Sequence, residues 1–148
     1  MTSARAIALW AAGGRSSGLA DATAEVLAGF GLTPDRLGES AQPDAAAHAI
    51  AIVFADREVA GRFARSFSGP VLLVPDGQEP DAALAALREA ASGDPELPIG
   101  VLAAGEAGAR NAALFAVAML AGGDPVLGER YRAFRESQTA KVLAARLE

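Results

Sequence analysis

Short apolar runs alternate along the whole chain with longer stretches in which Ala and Leu recur at helical spacing. Two runs, 49–54 and 70–74, are continuously apolar and contain β-branched residues, which is typical of strands that helices cover on both faces. This alternation predicts β-α units wound around a parallel sheet. It indicates a doubly wound α/β fold with strand order 2-1-3-4-5, in which ligands bind beyond the carboxyl ends of the strands.

The pattern predicts five strands, at 5–10, 32–38, 49–54, 70–74 and 98–103. It predicts six helices, at 17–29, 44–48, 56–66, 79–92, 107–121 and 124–146. The last helix begins at Asp124 and Pro125, an N-cap residue followed by proline at the first helical position. Because no strand follows, its apolar residues must cover either their own domain or a neighbouring subunit, and we favour the neighbour.

Length and composition predict one folded domain over 1–148. Of the 148 residues, 51% are hydrophobic and 21% are charged, which is enough apolar surface to offset the entropy of the chain. The 13 Lys and Arg residues against 18 Asp and Glu give a net charge of -5, the wrong sign for a partner that binds nucleic acid through its phosphates.

The chain contains no cysteine, so it carries no mark of an oxidising compartment, and we expect the cytoplasm. No apolar run approaches the roughly 20 residues that a membrane helix needs, so no membrane association is expected. No group of His, Asp and Glu has metal-ligand spacing, and we expect neither a metal nor another cofactor.

The loop after the first strand, Gly13-Gly14-Arg15-Ser16-Ser17, leads into a helix. Glycines let the backbone approach a ligand closely, and a helix N-terminus presents free N–H groups and the positive end of its dipole. A phosphate or carboxylate suits such a loop. Alternatively, Ser16 or Ser17 caps the helix. The spacing matches neither a Walker loop nor the dinucleotide-binding glycine motif.

Three further loops are expected at the same edge of the sheet. Ser40 and Gln42 follow the second strand, where ligand contact is an alternative to capping of the short helix. Arg57 follows the third strand and can attract an anion, beside Asp56, which is well placed as an N-cap. Asp76 follows the fourth strand, in a turn sequence that explains it equally well.

The only histidine, His48, precedes the third strand at the opposite edge of the predicted sheet. A general base must lie within hydrogen-bond reach of the proton that it moves. His48 is therefore not expected to be catalytic unless another subunit brings it to the ligand edge.

Residues 105–116 read G-E-A-G-A-R-N-A-A-L-F-A, and 131–143 read Y-R-A-F-R-E-S-Q-T-A-K-V-L. These segments resemble the aminoimidazole ribonucleotide carboxylase/mutase (PurE) family of purine synthesis, whose G-N-A-G-A-K-N-A-A-L-L-A motif differs only at Glu106, Arg110 and Phe115. The amino third fits as well, and the resemblance extends over nearly the whole chain.

The resemblance implies a three-layer, flavodoxin-like domain assembled into an octamer, with 124–148 packing on a neighbouring subunit. It also implies active sites that lie between subunits and bind a ribonucleotide. In the family, a histidine moves protons while a carboxyl group leaves nitrogen and is added to ring carbon.

The family's active-site segments are altered in this chain. The family's S-A-H-R reads Ser40-Ala41-Gln42-Pro43, so Gln42 stands at the histidine position, and an amide neither takes nor gives a proton near neutral pH. The family's G-S-x-S-D loop supplies serine and aspartate to ribose and phosphate. Here Ser16 stands for the second serine and Ser17 for the aspartate, or, without a gap, Ser16 stands for the aspartate.

We therefore expect a catalytically silent relative that keeps the oligomeric scaffold and binds a phosphorylated or nucleotide-like molecule. The alternative is a repurposed enzyme that carboxylates or decarboxylates a nucleotide-like or other small substrate, with Arg15, Gln42 or Arg57 orienting it. No catalytic residue is assigned. The expected ligand contacts are Gly13, Gly14, Arg15, Ser16, Ser17, Ser40, Gln42 and Arg57.

Overall fold

A computed structural model of the chain describes residues 6–77 and 79–146. Its elements in chain order are β1 (Ala6–Ala11), α1 (Arg15–Gly29), β2 (Asp35–Leu37), β3 (His48–Phe54), α2 (Arg57–Ser66), β4 (Val71–Val74), α3 (Pro80–Ala91), β5 (Ile99–Val101), α4 (Gly105–Ala121) and α5 (Pro125–Ala145). The strands form one parallel sheet in the order β2-β1-β3-β4-β5. The α/β fold and the strand order predicted from the sequence are confirmed.

Both faces of the sheet are buried, which explains why the central strands are apolar throughout. Along β3, Ile50 and Ile52 face one side and Ala51 and Val53 the other, because successive side chains of a strand alternate. Helices α1, α4 and α5 cover the first side, and α2 and α3 cover the second. No helix among the described residues is long and apolar enough to cross a membrane.

Small residues allow α4 to approach the sheet and α1 closely. A Cβ atom on Gly108 would overlap the carbonyl oxygen of Ala103 and lie 3.2 Å from a methyl group of Val74 on β4. The fully buried hydroxyl of Thr23 on α1 donates to the carbonyl oxygen of Ala109 on α4 at 2.8 Å. The family-like motif of α4 therefore builds the packing of the first layer.

The predicted short helix at 44–48 is wrong. Residues 45–47 form a turn, and β3 already begins at His48. Side chains take the backbone donors that a helix would use, since Asp44 Oδ1 accepts from the N–H of Ala46 and His48 Nδ1 from the N–H of Asp44, both at 2.9 Å.

Other boundaries differ by a few residues. β2 and β5 are three residues each, shorter than predicted, and α1 and α4 each begin two residues earlier than predicted. Both helices start at the end of a glycine loop rather than at their first apolar residue, and Gly14 and Gly105 there have positive φ angles of 58° and 71°.

His48 is a buried structural residue at the amino edge of the sheet. Its side chain is 5% exposed, and its Nε2 lies 3.0 Å from Oδ2 of Asp35, the first residue of β2. Because Nδ1 accepts the backbone N–H of Asp44, Nε2 carries the proton of the neutral ring and donates it to Asp35. Both ring nitrogens are thus occupied far from the carboxyl ends of the strands.

The tight contact of Gly108 yields a prediction about stability. We expect Gly108→Ala to lower the free energy of unfolding by about 3 kcal/mol, since the added methyl group must displace backbone. Gly18→Ala is the matched control, because Gly18 lies within α1 with nothing within 4 Å of the new Cβ. That substitution should raise stability by up to about 1 kcal/mol. Denaturant unfolding of both variants measures the difference, and equal stability would contradict the packing described.

Candidate functional site

The carboxyl ends of the strands form one edge with loops side by side. Ala11 of β1 pairs with Phe54 of β3, and Phe54 pairs with Val74 of β4, so the three strands end level. Neighbouring strands are about 4.8 Å apart, which places the loops after β1 and β4 roughly 10 Å from each other. We call this edge the crevice, and define it by residues 12–14, 38–40, 55–56, 75–77 and 102–104.

The loop after β1 is shaped by two glycines. Gly13 and Gly14 have φ angles of 82° and 58°, a region that other residues rarely adopt. Gly14 is the N-cap of α1 and no side chain caps it, so the alternative in which Ser16 or Ser17 caps the helix is wrong. Ser16 is buried and Ser17 exposed, and the side chain of Arg15 lies outside the described part of the chain. The first turn of α1 therefore keeps N–H groups that no side chain occupies.

Glu39, which the sequence analysis did not single out, lies against this loop. Trp10 Nε1 donates to the carbonyl oxygen of Glu39 at 3.3 Å, which ties the loop after β2 to the end of β1. The Oε1 atom of Glu39 lies 3.7 Å from the position of a Cβ on Gly13. An exposed carboxylate beside the glycine loop opposes the binding of an anion there. Its only signal in the sequence is a charge directly after the second strand.

Gln42 does not lie in the crevice. Its Oε1 accepts a hydrogen bond from Oγ of Ser66, the last residue of α2, at 3.3 Å. The chain that follows α2 packs on the start of β3, because a Cβ on Gly69 would lie 2.8 Å from the carbonyl oxygen of Ala49. The amide of Gln42 is thus held toward the amino edge of the sheet. Ser40 remains exposed in the loop after β2, near Glu39.

Arg57 is engaged by the backbone of a neighbouring helix. Its Nη1 donates to the carbonyl oxygen of Ala90 at 2.8 Å and its Nη2 to that of Asp94 at 3.1 Å. The guanidinium therefore satisfies carbonyl groups at the end of α3 and just beyond it. The prediction that Asp56 is an N-cap is confirmed, because its Oδ1 accepts from the N–H of Val59 at 3.0 Å.

Asp76 follows β4 in the crevice, and the sequence analysis left it between ligand contact and turn formation. Its Oδ1 has no contact with solvent and accepts no hydrogen bond among the described residues. Gln78, named with it as a candidate, lies outside the described residues. Among the described residues, no group of three or more His, Cys, Asp or Glu side chains is placed to hold a metal ion.

Two departures from the family motif pair with each other on α4. Arg110 Nε donates to Glu106 Oε1 at 3.0 Å, and Arg110 Nη2 donates to Glu25 of α1 at 3.3 Å. The hydrogen bond from Glu106 and the charge of Glu25 raise the pKa of Arg110 above its ordinary value. The pair borders a cleft of about 470 Å³ between α1, α4 and α5, so these changes concern the helical layer and not the crevice.

The fold and its loop edge define a flavodoxin-like α/β protein, and solved structures agree. Crystal structures of Treponema denticola PurE and of a variant of it superpose with TM-scores of 0.74 and 0.72 at 18% identity. The first covers 94% of both chains, and the second covers 95% of this chain and 94% of the other. At that identity the likeness shows the fold.

Sequence comparison shows the family. The N5-carboxyaminoimidazole ribonucleotide mutase of Haemophilus influenzae is 38% identical over 114 residues, which cover 75% of this chain and 70% of that protein. The mutase of Escherichia coli K12 is 35% identical over 114 residues, covering 75% and 68%. No protein-family model matches the chain. The chain belongs to the N5-carboxyaminoimidazole ribonucleotide mutase (PurE) family.

The contacts of Arg57 yield a second prediction. We expect Arg57→Met to lower the free energy of unfolding by about 1–2 kcal/mol, because two backbone carbonyl groups lose a charged donor. Affinity for ribose 5-phosphate should not change. Arg62→Met, on the exposed side of α2, is the control and should leave stability within about 0.5 kcal/mol. Thermal unfolding and titration calorimetry measure the two effects. Unchanged stability with weakened phosphate binding would instead assign Arg57 to the ligand.

Proposed function

We propose that this chain is a divergent PurE-family member that keeps the scaffold, binds a phosphorylated, nucleotide-like small molecule in the cytoplasm, and lacks mutase activity. The observation that carries the proposal is the replacement of the family's histidine by Gln42, whose amide is held by Ser66 rather than turned into the crevice. Removal of a positioned acid-base group typically costs 10²–10⁴-fold in rate.

The remaining histidine does not substitute for the missing one. His48 lies at the amino edge with both ring nitrogens hydrogen-bonded. Within the described residues, the ionisable side chains of the crevice are the carboxylates of Glu39, Asp56 and Asp76, and Asp56 is occupied as a helix cap. The proton relay of the family therefore has no imidazole in this crevice.

Binding of a phosphate is supported by the loop after β1. Gly13 and Gly14 hold the backbone close to any ligand there, and the start of α1 presents N–H groups without a side-chain cap. We assign Ser16, Ser17 and the exposed Ser40 as further contacts of the ligand, with Arg15 as its cationic partner.

A repurposed decarboxylase or carboxylase is the second candidate. It is favoured by Glu39 and Asp76, since a carboxyl group at the crevice can move a proton where the amide of Gln42 cannot. Such an enzyme would use a different substrate from that of its relatives, because its acid-base group would stand on a different loop.

The proposal predicts no conversion of N5-carboxyaminoimidazole ribonucleotide, followed by its absorbance. It also predicts that ribose 5-phosphate raises the Tm, because a ligand at 100 times its Kd stabilises the folded state by about 2.7 kcal/mol. Gly14→Ala should abolish this shift through its positive φ angle, whereas Gly18→Ala should retain it. Glu39→Gln should strengthen binding by removing a negative charge.

Two outcomes would contradict the proposal. Turnover of the nucleotide that is lost on substitution of Gln42 would show that the chain is an active mutase with an unforeseen mechanism. Absence of any shift with ribose 5-phosphate would show that the crevice no longer binds phosphate and that only the scaffold is retained.

We further propose that the chain forms a homo-oligomer, an octamer as in its family, with α5 packing on a neighbouring subunit. The second half of α5 leaves its own domain, since Val142 and Leu143 are 58% and 56% exposed. Phe115 and Met119 on α4 are exposed as well, and a groove of about 500 Å³ runs between α4 and α5. Exposed apolar side chains on two adjacent helices are typical of an interface.

This assembly predicts that the wild-type chain elutes at eight times its own mass in gel filtration with light scattering. The double substitution Val142→Glu and Leu143→Glu should shift it to smaller species, because two carboxylates cannot be buried unpaired. Lys141→Glu is the matched control at the same exposed end of α5 and should leave the mass unchanged. A monomeric wild-type chain would contradict the proposal.

A further inference from the structure

Asp76 stands in the middle of the crevice. β4 lies between β3 and β5 in the sheet, and Asp76 comes two residues after Val74, the last residue of that strand. Residues at this place in a doubly wound sheet are the ones that a bound ligand reaches.

Asp76 differs from the other aspartates that occupy turns and helix starts in this chain. Asp44, Asp56, Asp94 and Asp124 each use Oδ1 to accept a backbone N–H. The Oδ1 of Asp76 accepts none among the described residues, although it is shut off from solvent. A turn-forming role would satisfy this oxygen through the backbone, as the other four show.

The loop that carries Asp76 is tightly held. The carbonyl oxygen of Pro75 accepts the N–H of Gly105 at 2.9 Å. A Cβ on Gly77 would lie 2.6 Å from the Cα of Ala83 on α3, so that glycine is wedged against the helix. The carboxylate is therefore presented from a fixed backbone and cannot find a donor by a simple loop movement.

A carboxylate with one oxygen desolvated and unpaired is costly in free energy, and a charged or polar N–H donor relieves that cost. We propose that Asp76 is a specificity-determining residue that receives an amino group of the ligand's base. The ligand class is then a phosphorylated nucleoside whose ring carries an exocyclic amine. This inference rests on the proposed phosphate site, which would orient the sugar so that the base extends from the loop after β1 toward β4.

The test compares three probes by titration calorimetry: ribose 5-phosphate, 5-aminoimidazole ribonucleotide, and imidazole ribonucleotide, which lacks only the amino group. The wild type should bind the amino compound at least 10-fold more tightly than imidazole ribonucleotide, as expected for a hydrogen bond to a charged group. Asp76→Asn and Asp76→Ala should remove this preference and leave ribose 5-phosphate affinity unchanged. Asp81→Asn, an exposed residue in the first turn of α3, is the control and should keep the preference.

Thermal unfolding separates this role from a structural one. Neither Asp76 variant should lower the Tm, because the substitution removes an unsatisfied oxygen, whereas loss of a turn-forming aspartate would lower it. A lowered Tm together with an unchanged preference for the amine would overturn the proposal.

The outcomes also separate this proposal from the proposed function. If ribose 5-phosphate binds and the amino group brings no preference, Asp76 has no such role and the phosphate site stands. If none of the three probes binds, the phosphate site fails and the role of Asp76 falls with it.

Discussion

Burial of both faces of a parallel sheet is the constraint on which the rest of this structure depends. Residues of β1, β3 and β4 point alternately into two apolar layers, so almost no position along these strands is free to carry polar chemistry. Polar function is thereby confined to the loops beyond the strand ends. The tight packing of Gly108 on Ala103 keeps α4 in place and fixes the loop after β5 relative to the one after β4.

The parts of the chain that resemble the family and those that depart from it have different physical roles. The small-residue motif of α4 builds packing, and a larger side chain at Gly108 has no room. The loop after β2 carries fewer packing demands, and there Glu39 and Gln42 have taken new contacts with Gly13 and Ser66. A scaffold can thus persist while the residues at its crevice change, because stability and chemistry depend on different side chains.

Electrostatics at the crevice set the range of ligands. The uncapped start of α1 favours an anion, whereas the carboxylate of Glu39 beside Gly13 opposes one. Asp76 adds a second negative group on the far side, after β4. An anionic group held at the glycine loop, joined to an amine-bearing ring nearer to β4, satisfies both ends of such a site.

The sequence by itself determined the fold class, the strand order and the local caps at Asp56 and Asp124, because periodicity and capping depend on residues a few positions apart. It also indicated the glycine loop after β1, though not whether a serine capped it. Only the tertiary structure decided the roles of Arg57 and Gln42, since their partners lie 33 and 24 positions away in the sequence. The same holds for the missing helix at 44–48, where the ring of His48, held by Asp35 across the sheet, takes a backbone donor that helical periodicity assigns elsewhere. Contacts between residues distant in sequence leave no periodic signal, so the sequence names the candidates and the packing selects among them.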